Sequence, residues 1–566
     1  MGYSGVMAAK HLSPAAFILA PALVVSGAAW AAPATPPTRA EIQSQQNVAA
    51  ELALQRGDCR TAAENFAAAS TGAPAAQARR ATEVAFDCQQ VPAAWTAAQN
   101  WLKAAPSDRE AAIVYATAAL KLYHVSEARN ALATALKTAP PMSDGDIVGL
   151  AQVLVEQADA NAAFAALGGG VADAPSASAA VLTVMGQLAV QAYDFARADA
   201  LVRQALQKEP KQLEALRLKA RLAVLRGDAT AAVAAAHEVV KADPAEGMFE
   251  VAEIYGDLNR PDDARKELER LRTGGVSGAE IDRRLALLDM DSGKLEAAQK
   301  RFATLLDHGE AGDSALFLLA QITAEMGDKH TALAMYQKLL DTPMGEEARL
   351  EAAGLLLEQG KRGDALSLLD ETADQGARST FQLLLDKAHL LADHGDSDGA
   401  LVLLDAGLQS YPRHPTLEYE RATMLERAGQ TRESLQAFEQ LLTERPEDPT
   451  VQNALGYTLA DHNQQLARAE QLIRKALTAT PDSPAALDSL GWVRLRRGEP
   501  REAAGILEKA YTVGQDADIA AHWGEALWLS GSRPQALKVW NDAKARHPDS
   551  MVLDSTIKRL APSKKQ

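Results

Sequence analysis

Large and small apolar residues return at helical spacing about every 34 residues from Gln46 to Pro548, and a period of that length marks a stack of helix pairs. In the clearest copy, Leu487, Leu490 and Gly491 follow Pro484 on one predicted helix, and Ala503, Leu507 and Ala510 lie on the next, beyond Gly498. Neighbouring copies agree. One carries Ala388, Gly395, Ala400 and Leu404 before Pro412, another Ala422, Gly429, Phe438 and Leu441 before Pro446, and the last Trp523, Gly524, Gly531, Ala536, Trp540 and Ala543 before Pro548. Small residues such as Gly491 and Ala503 are expected where the two helices of a hairpin cross, since a longer side chain would push the backbones apart. Leu487, Leu507, Phe438 and Trp540 fill the spaces beside those crossings. Gly498 and Gly531 end first helices, and Thr-Pro-Asp-Ser-Pro at 480–484 reads as stop, turn and restart.

The earlier copies are more degenerate. Units close near Pro106, Pro140, Pro210, Pro244 and Pro343, while Gly168-Gly169-Gly170, Thr273-Gly274-Gly275 and His308-Gly309 stand where other units place a turn. About fifteen helix pairs fit between residues 40 and 548, with irregular spacing near Gly168 to Ser178 that predicts local loosening or a change of curvature. Alternating β-branched runs are nearly absent, which excludes sheet-based enzyme folds. The repeated residues resemble the tetratricopeptide repeat. That resemblance implies an all-α, tetratricopeptide-repeat superhelical solenoid, in which one unit cannot bury its own apolar face and stability comes from stacking. The expected organisation is a secretory signal at 1–31, a flexible mature start at 32–40, the repeats at 41–548, and a capping helix with a basic tail at 549–566.

The signal is read from Lys10 and His11, an apolar stretch from Pro14 to Val25, and the small-x-small pattern of Ala29 and Ala31, which predicts cleavage near Ala31. A membrane anchor is the alternative, although the stretch is shorter than the roughly 20 residues that span a bilayer. No cysteine follows it to accept a lipid, so a soluble periplasmic protein is expected, with outer-membrane association left open. Export makes pairing of the two cysteines, Cys59 and Cys88, possible near the turns of the first two repeats. The alternative is two partly buried free thiols.

The formal net charge of −16, with 58 Lys and Arg against 74 Asp and Glu, argues against nucleic acid as a partner. Phosphate loops, His-Glu-x-x-His, nucleophile elbows and clustered metal ligands are all missing from the sequence, so no catalytic residue, metal or cofactor is expected. His308, His330, His394, His414, His462 and His547 lie in or near predicted turns and read as solvated imidazoles. Glu346-Glu347 and Asp262-Asp263 read as first-turn acids favoured by the helix dipole.

Function is then expected from the concave face, lined by the first helix of each pair. Its nominated residues are Tyr419, Thr423 and Arg427; Asn453, Tyr457 and Asp461; Asp488, Trp492 and Arg496; and Glu525 and Trp528. Exposed Trp and Tyr make strong anchors; the alternative for Trp492 and Trp528 is packing between neighbouring helices. The stretches Asn453 to Asp461, Leu487 to Trp492 and Ala521 to Trp528 look like proteobacterial cell-envelope repeat proteins of the LbcA type. That resemblance implies an adaptor that binds a periplasmic carboxyl-terminal processing protease and presents peptidoglycan hydrolases to it. Other readings are a scaffold for exopolysaccharide secretion or outer-membrane assembly, and a cryptic envelope hydrolase.

Overall fold

The computed structural model describes residues 38–561 except 172–175, 275–276, 310–311, 372–379 and 549. The expected signal at 1–31, its cleavage site and the basic Lys564-Lys565 lie outside the described residues. Among the described residues the chain forms thirty-one α-helices, from α1 (Arg39–Gln55) to α31 (Met551–Leu560), and no strand. They pair into fifteen hairpins, with α31 laid on the last. Arg39 and Ala40, expected in a flexible start, already belong to α1, where Thr38 and Glu41 form a capping box.

Helix boundaries follow from local chemistry. Asp448 Oδ1 accepts from the backbone N–H groups of Thr450 and Val451 at 2.9 and 3.2 Å, and Pro449 begins α25 (Pro449–Asp461), where its missing N–H costs nothing. Gly498, at φ +80°, and Gly531, at φ +97°, end first helices in a left-handed conformation that a Cβ disfavours. At the crossings the small residues admit a large side chain from the facing helix. A Cβ on Gly491 of α27 (Pro484–Arg496) would lie 2.5 Å from Cγ of Leu507 on α28 (Pro500–Val513), and both Leu507 and Ala503 are fully buried.

One expectation is corrected. Gly168 and Gly170 are not in a turn but inside α8 (Ala160–Val171). The irregularity takes another form there: α8 leans on α6 (Val125–Lys137) more than on its own partner α7 (Asp144–Gln157), and α7 packs directly on α9 (Ala179–Gln191). Side chains as small as glycine and alanine give α8 little apolar bulk with which to hold α7.

Cys59, at the start of α2 (Cys59–Ala69), and Cys88, after α3 (Ala75–Asp87), form a disulfide with Cα atoms 5.3 Å apart. It joins the first two hairpins of the described residues. Cys59→Ser with Cys88→Ser is expected to lower the stability of these hairpins by about 3 kcal/mol through the released loop entropy. Hydrogen exchange of residues 39–104 checks this, and unchanged protection would refute it.

The stack also touches itself. Arg60 Nη1 donates to Gln409 O at 3.1 Å, Gln90 Nε2 to Ser410 O at 2.8 Å, Asp482 N to Tyr193 O at 2.8 Å, and Phe195 N to Asp482 Oδ2 at 2.9 Å. Inter-helix turns of early hairpins thus rest on the closing turns of late ones, so the path completes a superhelical circuit and lies against its own beginning. At several early turns the usual glycine is absent: Gln89, Tyr123 and Tyr193 take the left-handed conformation, at φ 55°, 62° and 54°. Tyr123 explains why. Its ring lies in the seam between circuits, with Lys121 and Asp159 on one side and His414 and Asp448 on the other.

His414, expected to be solvated, is buried in this seam at 6% exposure. Its ring lies 4.3 Å from that of Phe381, and burial, aided by Lys121 and Arg445, pushes its pKa down to about 4. Burial likewise pushes the Asp448 carboxyl up to about 6. The correction has a tertiary cause, since the early hairpins supply much of the cover.

Candidate protein-binding groove

Four first helices build the groove: α23 (Pro415–Arg427), α25, α27 and α29 (Ala517–Leu529). Residues four apart lie on one face of a helix, and stacking aligns those faces. Tyr419, Thr423, Arg427, Asn453, Tyr457 and Asp488 therefore line a single concavity of about 620 Å³. Phe438, Ala454, Pro484 and Ile519 add apolar surface, and Glu426, Asp516, Asp518 and His522 add charge.

The two tyrosines are half-buried with their rings along the wall. Tyr419 packs edge-on to Phe438 at 5.9 Å, and burial followed by Glu420 and Asp448 raises its phenol to about 12. Burial raises Tyr457 further, with Asp461, Asp488, Asp518 and Glu426 adding to the effect. Arg427 is exposed and donates to Asp393 Oδ1 at 3.0 Å.

Several nominated residues lie elsewhere than expected. Trp492 is buried at 8% exposure: its Nε1 donates to Asp461 Oδ1 at 3.1 Å and its indole stacks on His522 at 4.2 Å. Arg496 lies over the same indole, 5.5 Å from its centroid, and donates to Asp461 O at 3.1 Å. Trp492 thus cements α25, α27 and α29 and offers no free anchor. Asp488 is buried as well, both carboxylate oxygens 3.0 Å from His522 Nδ1. Glu525 is buried under α31, paired with both terminal nitrogens of Arg559 at 2.9 and 2.6 Å. Trp528 is half-buried, 5.8 Å from Trp540 and beneath Arg533. The row of open positions ends where α31 begins to cover α29.

His522, Asp518 and Glu426 belong to the site and were not anticipated. The repeat period holds a signal for the first: Asp488 and His522 stand 34 residues apart, which puts opposite charges at equivalent positions of adjacent units. Burial alone would lower the His522 pKa, but Asp488, aided by Asp518 and Glu525, outweighs it and holds the imidazole above its ordinary value. A raised folded-state value gives stability that is fully present below the unfolded value and lost as pH rises through the folded one. Unfolding of the C-terminal hairpins is therefore expected to become easier as pH rises above the ordinary imidazole value of about 6.5, and His522→Gln to flatten that dependence. Denaturant titrations across this range check it; the same slope in both proteins would count against the bridge.

Glu426, Asp461 and His462 each bring one potential ligand atom within 4.8 Å of the others at the groove rim. His462 Nε2 is already engaged by Glu426, and Asp461 by Trp492, so the trio is accounted for as an inter-repeat network.

Residues 183–247, 283–347 and 419–484 match the tetratricopeptide repeat family. The fold is that of a tetratricopeptide-repeat solenoid, and these three stretches carry the family's repeats. The solenoid is 29% identical over 248 residues to the TPR repeat-containing protein PA4667 of Pseudomonas aeruginosa, covering 44% of this chain and 42% of that one. It is 24% identical over 356 residues to cellulose synthase operon protein C of Pseudomonas fluorescens, covering 58% of this chain and 28% of that one. The matched region thus spans less than half the length of either relative. Among solved structures, a thermophilic TPR protein of Thermus thermophilus aligns with a TM-score of 0.30 at 20% identity, covering 32% of this chain and 98% of that one. No helix of the described residues is long and apolar enough to cross a membrane.

Proposed function

We propose that this solenoid is a non-enzymatic periplasmic adaptor that holds another protein in the C-terminal groove. The observation that carries the reading is the concavity shared by four adjacent first helices, in which Tyr419 and Tyr457 present aromatic surface beside polar groups. Half-buried tyrosines suit protein recognition because they contribute large contact area at little entropic cost. The resemblance of 453–461, 487–492 and 521–528 to LbcA-type proteins supports a specific partner: a carboxyl-terminal processing protease, with cell-wall hydrolases presented to it. Periplasmic location rests on the segment from Pro14 to Ala31, and intact-mass analysis of fractionated cells tests it by the loss of the first residues.

The similarity to cellulose synthase operon protein C favours a second reading, a scaffold for exopolysaccharide secretion. Affinity purification from periplasm, followed by mass spectrometry, separates the two. A processing protease together with peptidoglycan hydrolases supports the adaptor. Secretion-channel components support the scaffold, and peptidoglycan turnover by the pure protein would overturn both.

A further inference from the structure

Resting on the groove reading above, we infer that the C-terminal groove recognises a basic peptide segment of its partner, seating a Lys or Arg side chain beside Tyr457. The inference comes from an imbalance between acceptors and donors. Glu426, Asp488, Asp516 and Asp518 line the concavity, against Arg427 and His522 as its cations. Both cations are engaged: Arg427 donates to Asp393, and His522 is held by Asp488. Asp488 is taken by His522 and Asp516 Oδ1 by the backbone N–H of Asp518, while Glu426 meets His462 through one oxygen only. Glu426 Oε2 and Asn453 Oδ1 are buried without a hydrogen-bond partner among the described residues.

An acceptor left without a donor is unfavourable, so this wall favours a ligand that brings N–H groups. Asp518 gives a second, electrostatic indication. Burial, followed by the neighbouring Asp516 carboxylate, raises its pKa, which marks a place where negative charge is crowded and a cation would be welcome. The apolar floor of Phe438, Ala454 and Ile519 suits the methylene stem of a long basic side chain, whose charged head would reach the carboxylates. An acidic peptide would meet repulsion on the same wall. Complementary charge fixes the choice of partner more than its raw affinity.

The test uses the full mature chain and a fluorescein-labelled peptide, Gly-Ser-Leu-Arg-Leu-Lys-Gly-Ser, read by fluorescence anisotropy. Companion peptides carry Gln or Glu in place of both Arg and Lys. The basic peptide is expected to bind at least about tenfold more tightly than the Gln peptide at low salt, with the contrast shrinking at high salt. Glu426→Gln combined with Asp518→Asn should remove most of that contrast, whereas Glu508→Gln on an exposed outer position should leave it intact. Equal binding of the three peptides, or a double variant that stays folded by circular dichroism and keeps the full contrast, overturns the inference. If Tyr457→Ala weakens every peptide alike while the carboxylate variants change nothing, the groove reading stands and the cationic inference falls. If neither changes binding, both fall. A chain ending at Ala561 is measured alongside: tighter binding there would make the chain's own Lys564-Lys565 tail the occupant and overturn a partner-derived one.

Discussion

Alanine in place of Trp540 is expected to destabilise the last two hairpins by about 3–5 kcal/mol, the largest effect of any single substitution argued for this molecule. Trp540, on α30 (Arg533–Arg546), is fully buried, and its Nε1 donates to Ala521 O at 3.4 Å. The indole lies directly over Gly524, so closely that a methyl group on that residue would run into the ring. Gly524 and Trp540 are therefore one device, a small residue admitting a large one. Gly524→Ala alone should cost about 1–3 kcal/mol by overpacking. Added to Trp540→Ala, it should cost far less, because the ring it collides with is gone. Denaturant titration with hydrogen exchange over residues 484–560 reads both the loss and its spread to neighbouring repeats. Strictly additive costs would show that the two residues do not share this crossing. The same logic applies at Gly491 and Leu507, where Gly491→Leu overpacks one hairpin further back.

Tyr457→Ala is expected to weaken capture of the partner at least about thirtyfold, the factor that corresponds to the roughly 2 kcal/mol typical of a desolvated aromatic anchor. Tyr457 lines the concavity from α25, the second of its four helices, and packs at the edge of the core that holds Leu455 and Leu459. Truncation removes contact surface without taking away a fully buried side chain. Trp492→Ala has a different meaning. Its indole is bonded to Asp461 and stacked on His522, so its removal loosens three helices and its effect on binding would be indirect. Measuring both variants by surface-immobilised capture, with melting curves in parallel, separates the roles. Tyr457→Ala should lose affinity and keep most of its stability, while Trp492→Ala should lose stability first. Full affinity in a folded Tyr457→Ala protein would move the binding surface elsewhere.

What the sequence makes visible here is what depends on neighbours one helix or one repeat away. Pro449 and Pro484 open helices, Gly498 and Gly531 close them, and Gly491 meets Leu507 within one hairpin. The spacing of four residues placed Tyr419, Thr423 and Arg427 on one face, and the period aligned them with Asn453, Tyr457 and Asp488. Burial across the stack is another matter. Trp492 stands on the correct helix face, yet Asp461 from the preceding repeat and His522 from the following one close over it. Glu525 is covered by Arg559 from α31, which lies outside the repeat pattern.

Contacts between superhelical circuits were the least legible. His414 is enclosed with the help of Lys121, and Asp482 meets Tyr193 and Phe195, although nothing in a local period connects residues so far apart in the chain. Those contacts also account for the weak repeat signal of the early hairpins. Tyr123 and Tyr193 occupy turn positions where a repeat unit ordinarily has glycine, and each turn meets a later hairpin. These two departures from the pattern fall where the chain turns back on itself.

The central claim, that the concave C-terminal face holds the partner, is tested most directly by photocrosslinking in living cells. A benzophenone amino acid is placed at Tyr457 in the groove or at Lys509 on an exposed outer position of α28. Irradiation should join the partner to the chain labelled at position 457 and leave the chain labelled at 509 unmodified. Adducts to the same partner from position 509 and none from 457 would contradict the account.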